Sequence, residues 1–374
     1  KHLQENGIPL KQIVYVNFED ERLLELSADD LNLILEIGLE MSGADNKPYL
    51  FLDEIQNVEG WEKFVRRIAD MKYRIHITGS NSKMLSSEIA STLGGRFMIV
   101  DIYPYSFPEY LVAQGKDKNY LEVLSTKDRA EVVGMCDQYV KYGAFPELVD
   151  IRNKREYLNS IYQTIYLGDI ITRNKITNDF AVRLILKKMA ESVTKPLSFN
   201  RLSNILKSAG AVLGKQTVIN YVGYMMDSYM LFTLQNYAAK LVEKETSPKY
   251  YFMDTGLLGL MLMDCSSAQL ENLVAIELIR RYGRENVFYF EKNVEIDFYV
   301  PEEKLAIQVS LQVLDQIDTR EREIGAFVKL KNFIGDATCL LITNSEEEEL
   351  DYEGVHVSVV PVWKWLLQNR KQDI

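Results

Sequence analysis

Two adjacent carboxylates, Asp53 and Glu54, end the apolar run Tyr49-Leu50-Phe51-Leu52. An unalternated run of this kind predicts a β-strand buried on both faces, as in a parallel sheet. Acidic groups at the carboxyl end of such a strand stand where open α/β sheets place their ligands. Paired carboxylates there can serve nucleotide hydrolysis, the first helping to hold Mg²⁺ and the second polarising the attacking water. The residues from Tyr49 to Gln56 suit equally an ordinary core strand followed by a polar turn. The elements around them must decide.

Those elements alternate. Gln12 to Phe18 is a β-branched and aromatic run ending in Glu19-Asp20, a strand and a turn. From Leu23 to Glu40 apolar residues recur at helical spacing until Ser42-Gly43-Ala44-Asp45-Asn46 breaks the pattern. Trp61 to Met71 is amphipathic, with Trp61, Phe64, Val65 and Ile68 on one face and Arg66 and Arg67 on the other. Tyr73 to Ser82 predicts a strand delivering a Thr78-Gly79-Ser80-Asn81 turn, and Phe97 to Tyr103 predicts a fourth strand. Strands alternating with helices over short loops predict a parallel, doubly wound sheet.

A chain of 374 residues has room for two or three domains, and 47% apolar with 26% charged residues is a globular balance. No apolar run reaches membrane-spanning length, and Lys1-His2-Leu3-Gln4 does not open a signal peptide, so a cytoplasmic protein without a membrane partner is expected. Cys136, Cys265 and Cys339 are far apart among apolar neighbours, which suits buried thiols better than a disulfide frame or a zinc site. His2, His76 and His356 are equally scattered. A net charge of −11 excludes a generic polyanion binder, so any nucleic-acid contact needs a local basic surface. The absence of an initial Met, with an opening in mid-helix style, predicts that the true beginning is missing.

The segments YLFLDEIQNVEGWEKFVRRIAD and ITGSNSKMLSSEIASTLGGRFMIVDIYPYSFPEYL, in that order, resemble the AAA-type ATPase module of a widespread bacterial and archaeal group. In that group the ATPase is followed by a domain of unknown function. The resemblance implies ATP and Mg²⁺ as cofactors, with Asp53 supporting the Mg²⁺ shell and Glu54 as general base, the Walker B pair. It implies that Ser80 and Asn81 orient water near the γ-phosphate. Arg96, in Leu93-Gly94-Gly95-Arg96, would be an arginine finger acting in cis or from a neighbouring subunit of a homo-oligomer. A simple turn at Ser80 and Asn81 and a helix-terminal surface residue at Arg96 are the plainer alternatives. The chain departs from the group at the phosphate loop. G-x-x-x-x-G-K-[ST] should precede the Gln12 strand, and none of the eleven residues there forms it. Without its N–H cradle and lysine the phosphates have no anchor. Either the full-length protein carries the loop upstream, or this version does not hydrolyse ATP. Gly210-Ala211-Val212-Leu213-Gly214-Lys215-Gln216-Thr217 imitates the loop but is one residue short, has Gln216 in the hydroxyl position and lies between two helical patterns.

That segment reads better as the turn of a helix-turn-helix. Leu197 to Leu206 forms the first helix with Ser198 as N-cap, and Lys215 to Met226 the recognition helix. Met230–Leu234 and Lys249–Met253 would be the wing hairpin. From Lys195 to Tyr250, seven basic residues (Lys195, Arg201, Lys207, Lys215, Lys240, Lys244, Lys249) face three acidic ones, a local charge of 7 − 3 = +4. This favours DNA, with Arg201, Lys207, Lys215, Gln216 and Asn220 as contacts, although winged helices also bind proteins. Upstream, Leu111 to Arg183 is helical in period, and YVKYGAFPELVD resembles the group's lid or connector.

The last third carries a helix from Glu271 to Arg281 and strand runs at Val287–Phe290, Glu295–Val300 and Leu305–Val313. A helix from Thr319 to Phe333, a strand from Ala337 to Thr343 and an acidic loop at Glu346–Glu349, read as a solvated face, follow. This order resembles the restriction-endonuclease-like core, whose signature is an acidic helix residue, a strand Asp, and Glu-x-Lys on the next strand. Glu277 (or Glu271) and Asp297 take the first two places, but the third reads Gln308-Val309-Ser310. Divalent metals want hard anionic oxygens, so the resemblance implies a retained fold with cleavage lost or very poor. The predicted α/β organisation is therefore an incomplete P-loop, AAA-type sheet over 1–110, a helical linker over 111–190, a winged helix over 191–253 and a nuclease-like domain over 254–374. The predicted function is an ATPase whose nucleotide state regulates a nucleic-acid-associated winged helix and degenerate nuclease-like domain. The alternative is a non-catalytic DNA- or protein-binding adaptor with both sites incomplete, and an active nuclease is a third reading.

Overall fold

The computed structural model describes the chain except residues 24, 44–45, 81–90, 96, 117–124, 265, 315–316 and 369–374. It divides into two compact units, residues 1–101 with 227–229, and residues 102–226 with 230–374. No helix among the described residues is long and apolar enough to cross a membrane.

Unit 1 contains α1 (His2–Glu5), β1 (Ile13–Asn17), α2 (Leu31–Ser42), β2 (Tyr49–Asp53), α3 (Trp61–Asp70) and β3 (Arg74–Ile77). The strands are parallel in the order β1-β2-β3, with Asn17 opposite Asp53 and Leu52 opposite Ile77. Leu31 and Leu35 of α2 and Trp61, Phe64, Val65 and Ile68 of α3 share one core with Leu50 and Leu52. Three expectations change. Strand β2 is not buried on both faces: Leu50 and Leu52 are buried, while Tyr49, Phe51 and Asp53 are half-buried. Both helices pack with the Leu50 side, and the other side carries ring stacking of Phe51 on His76, at 4.7 Å between centroids. The helix expected from Leu23 starts at Leu31, because the Asp30 carboxylate accepts the Ser27 N–H at 2.9 Å and its hydroxyl at 2.6 Å, fixing a turn first. Residues 97–103 form no strand, and Met98 and Val100 are exposed; β-propensity makes a strand only where a partner edge and a packing surface exist.

Unit 2 begins with α4 (Phe107–Ala113), α5 (Thr126–Tyr142) and α6 (Lys154–Gln163), which runs into a π-helical stretch at Thr164–Thr172. Then come α7 (Asp179–Glu191), α8 (Phe199–Ser208), α9 (Lys215–Asp227), β4 (Leu231–Asn236), α10 (Leu241–Thr246) and β5 (Lys249–Phe252). After α11 (Thr255–Met261) and α12 (Ser266–Tyr282) follow β6 (Phe288–Glu291), β7 (Glu295–Val300) and β8 (Leu305–Val309). The chain finishes with α13 (Ile317–Ile334), β9 (Thr338–Thr343), β10 (Glu348–Tyr352), β11 (Val355–Pro361) and α14 (Val362–Leu367). Among the described residues eight strands form one sheet in the order β10-β11-β9-β8-β7-β6-β4-β5. Its core strands alternate between two clusters: Ile307 and Val309 join Leu273, Val274 and Leu278 of α12, whereas Ala306 joins Ile324, Phe327 and Leu330 of α13. Ser198 caps α8 as expected, accepting the Arg201 N–H at 3.2 Å. The segments expected to form a wing pair antiparallel as β4 and β5, but α10 lies between them and β4 also pairs with β6, so the pair is the end of the large sheet. The acidic segment expected as a solvated loop is only partly that: Glu348 and Glu349 open β10, and Glu346 accepts the N–H of Val313 at 2.7 Å and of Leu314 at 3.1 Å.

One buried carboxylate ties the connector to the sheet domain. Asp254 caps α11, taking the N–H of Gly256 at 2.8 Å and Leu257 at 3.3 Å, and reaches back to the Ala144 N–H at 2.8 Å. Gly143 sits at φ 79°, where an added Cβ would lie 2.0 Å from the Asp254 carboxylate. Burial pushes the Asp254 carboxyl up to about 6, against the three N–H donors. Between the ordinary 3.8 and about 6 the folded chain holds a proton that the unfolded chain has lost. Stability from this group is therefore greatest below that window and falls as pH rises through it. Asp254→Ala is expected to flatten that decline and to cost about 3 kcal/mol at neutral pH, from three N–H groups without an acceptor. Urea unfolding across the window measures both, and an unchanged midpoint at neutral pH contradicts the role.

Candidate functional site

Asp53 closes the middle strand of unit 1, and its carboxylate lies between the two neighbouring strands. Tyr15 of β1 donates its hydroxyl to Oδ2 at 2.6 Å, and Thr78, following β3, donates to Oδ1. These donors, Thr78 first and Tyr15 second, hold the Asp53 carboxyl below its ordinary value. Glu54 then turns the chain in the left-handed region at φ 53° and ψ 39°, a conformation costing a non-glycine residue about 1 kcal/mol or more. Its N–H points at the Thr78 hydroxyl at 3.3 Å, and its Oε2 accepts the Ser80 hydroxyl at 3.0 Å and the Gln56 amide. The sheet end thus presents an ionised carboxylate, a second carboxylate one residue on, and hydroxyls that hold both.

A second polar centre lies inside unit 2. Lys249 of β5 is wholly buried, and its ammonium lies 3.0 Å from Glu295, 3.9 Å from Glu271 and 3.9 Å from Asp297. Burial opposes the charge on Lys249, but Glu271, Asp297 and Glu295 outweigh it and raise its pKa. Burial, and then the facing Glu271 carboxylate, push Asp297 well above the ordinary range; burial also raises Glu271, against Lys249. The Tyr251 hydroxyl holds Glu271 at 2.8 Å, and the Val309 N–H holds Asp297 at 2.8 Å. Gln308 takes the Asp297 N–H at 2.8 Å and gives its amide hydrogen to the Glu295 carbonyl at 3.2 Å. A carboxylate at 308 could accept the first of these but could not donate the second.

The sequence comparisons bear on both centres. A profile described as an AAA domain matches residues 1–111, and one described as a domain of unknown function (DUF8612) matches residues 135–268. An uncharacterized protein of Methanocaldococcus jannaschii is 35% identical over 367 residues, covering 95% of this chain and 82% of that protein. An uncharacterized protein of Haemophilus influenzae is 30% identical over 379 residues, covering 98% of this chain and 89% of its own. The chain belongs to this family. Its members named here come from an archaeon and a bacterium, and the AAA domain points to nucleotide-binding, ATPase-type function.

In this AAA-domain protein, the residues present can be weighed against ATP with a divalent cation. Each Asp53 oxygen accepts one hydrogen bond and so keeps a lone pair, and an ionised carboxylate is a hard oxygen donor suited to Mg²⁺. Glu54, held by Ser80, suits a water molecule. The metal-and-water end of the cofactor therefore fits, while the sequence contains no G-x-x-x-x-G-K-[ST] segment to cradle phosphate. Gly210 to Thr217 joins α8 to α9 and does not follow a strand. Asn81 and Arg96 lie outside the described residues.

Within unit 2 the structure brings Asp297 and Gln308 together but not Glu277. Glu277 instead pairs with Arg281 at 2.7 Å, and Glu271 is the helix carboxylate facing Asp297. Six residues make one and two-thirds turns, so the two glutamates point different ways. Ser310 gives its hydroxyl to the Gln312 carbonyl at 3.1 Å. Lys249, counted above towards a DNA-facing charge, is buried, which reduces the surface balance to 6 − 3 = +3. Arg201, Lys207, Lys215, Gln216 and Asn220 are all exposed, opposite the buried Leu202, Leu206, Val218 and Val222. Sequence reasoning missed Tyr15, Lys249, Tyr251 and Glu295, and it saw Thr78 only as part of a turn. Thr78→Val is expected to move the Asp53 pKa upwards, and Tyr15→Phe to do so less. Carboxyl-carbon NMR titration reads both, and a midpoint unmoved by Thr78→Val contradicts this account of the site.

Proposed function

We propose that the full-length protein binds and hydrolyses ATP at the end of β2, and that its nucleotide state governs what unit 2 binds. The observation that carries this reading is the Asp53-Glu54 pair at the carboxyl end of the middle strand of a parallel sheet, held by Thr78, Tyr15 and Ser80. Bound Mg²⁺ would offset charge on the transferring phosphoryl group, with Asp53 in its shell. Glu54 takes the proton of the attacking water. Ser80 orients its carboxylate. Asn81 is assigned to orienting water, and Arg96 to charge stabilisation in cis or from a neighbouring subunit. Glu54→Gln in the complete gene product should lower turnover about 10²–10⁴-fold, the usual scale of general-base loss. An unchanged rate, or no turnover in the parent, refutes the reading.

For unit 2 the proposed role is nucleic-acid association through a winged helix built on α8 and α9, attached to a nuclease-like sheet that does not cut. The exposed Gln216 and Asn220 share one face of α9, joined at 3.1 Å, with Lys215 at its first turn and Lys207 on α8. A second reading, an adaptor without catalysis in either unit, is favoured by Gln308 and Ser310 standing where the nuclease signature needs Glu and Lys. Lys207→Ala with Lys215→Ala should weaken duplex DNA binding and shallow the log–log salt slope by about 0.9 per lost phosphate contact. Binding absent at low salt, or unaltered by both changes, counts against the DNA role.

A further inference from the structure

Helix α9 turns an unusual face to solvent. Gln216, Asn220 and Gly223 follow one another at spacings of four and three residues, so they form one stripe along the helix. Buried Val218, Tyr221, Val222 and Met225 lie opposite. A solvated helix face ordinarily carries charges, yet none of residues 216–226 is charged. A glycine inside a helix costs stability, and an added Cβ at Gly223 would meet nothing within 4 Å. Packing among the described residues therefore gives no reason for a glycine there, whereas close approach of a ligand to the helix backbone does.

We propose that α9 reads adenine in the major groove of duplex DNA through the Gln216–Asn220 amide pair, with Gly223 letting the groove edge come close to the helix. The inference rests on the DNA-binding reading of unit 2 given above and names the base. Gln216 Nε2 donates to Asn220 Oδ1 at 3.1 Å, which holds the two amides together. The Gln216 Oε1 acceptor and the Asn220 Nδ2 hydrogens remain for a partner. In the major groove adenine alone sets an acceptor, N7, beside a donor, the N6 amine. Guanine shows two acceptors, cytosine a donor, and thymine an acceptor and a methyl group. An amide pair offering both senses matches adenine, whereas guanine calls for the paired donors of Arg or Lys. The surroundings suit a duplex. From Ser198 to Met226 the chain has three basic residues, Arg201, Lys207 and Lys215, and no acidic one, in a protein of net charge −11. All three are exposed and suit phosphate contacts. The stripe itself has no aliphatic or aromatic anchor of the kind that protein interfaces use.

The test offers the full chain a pool of duplexes with a randomised centre, sequences what is bound, and measures affinity by fluorescence anisotropy. Bound duplexes should be enriched in adenine at a fixed position. Replacing that adenine by 7-deazaadenine, which removes only the major-groove N7, should weaken binding about 10-fold, the scale of a lost bidentate base contact. Gln216→Ala with Asn220→Ala should abolish the enrichment, while Lys207→Ala weakens binding to every duplex alike. Gly223→Met should melt no lower than the parent, because its side chain enters open space, and yet bind DNA more weakly. Four outcomes overturn the inference and leave the DNA reading standing: binding without adenine enrichment, enrichment that survives the double variant, indifference to 7-deazaadenine, or unaltered affinity in Gly223→Met. No binding to any duplex at low salt removes the DNA reading itself, and the inference with it.

Discussion

An ammonium with no water-facing atom forces the surrounding chain to bring it oxygen. That requirement at Lys249 organises the end of the large sheet. Strand β5 must lie against the opening of α12 so that Glu271 arrives, and β7 must turn Glu295 and Asp297 the same way. Removing all of these approaches would leave the buried ammonium uncompensated, which is among the costlier defects a core can carry. Gln308 belongs to the same constraint. Its amide meets both an N–H and a carbonyl of β7 where β7 and β8 diverge, and its neutrality avoids adding a further negative group to a cluster already rich in them.

Unit 1 solves the opposite problem. Asp53 stands at an open sheet end, and its charge is stabilised by two hydroxyls rather than by a buried cation. Hydroxyl donors lower a carboxylate's pKa without occupying all its lone pairs, so the group stays ionised and available. Glu54 is held differently, by a strained backbone turn and by Ser80. Strain of that kind persists only where neighbours enforce it, here the Thr78 hydroxyl behind the Glu54 N–H.

Much of this was readable from residue order, and the failures have physical causes. Strands β1 to β3, helix α3 and the Ser198 cap follow from short-range pattern, where neighbours in sequence decide the outcome. The choice between Glu271 and Glu277 did not, because α12 is buried continuously from Gln269 to Ile279 and an all-buried helix offers no polar face to set its phase. Lys249 read as a wing surface charge because a lysine in a strand is usually solvated, and only the register of β5 and the approach of α12 bury it. Tyr15 reaches Asp53 because it precedes by two residues the strand position opposite that aspartate, a relation set by pairing register and invisible in one strand. Phe97 to Tyr103 has strand composition without a strand partner among the described residues, and composition cannot supply one.

The two polar centres differ in what stabilises their negative charge, hydroxyls at Asp53 and the Lys249 ammonium in the large sheet, and that difference bears on what each can do. A site that keeps free lone pairs at the end of a sheet can exchange ions and water with solution. A site whose cation is a side chain on a buried strand cannot exchange it without unfolding that strand. On the proposed reading, chemistry belongs to Asp53 and Glu54, and the large sheet is a rigid body that nucleotide-driven changes would move as a whole. The buried charge cluster then contributes rigidity, since shifting β7 relative to β5 would separate Lys249 from its carboxylates. On the same reading, regulated motion would run through segments that carry no such pairing.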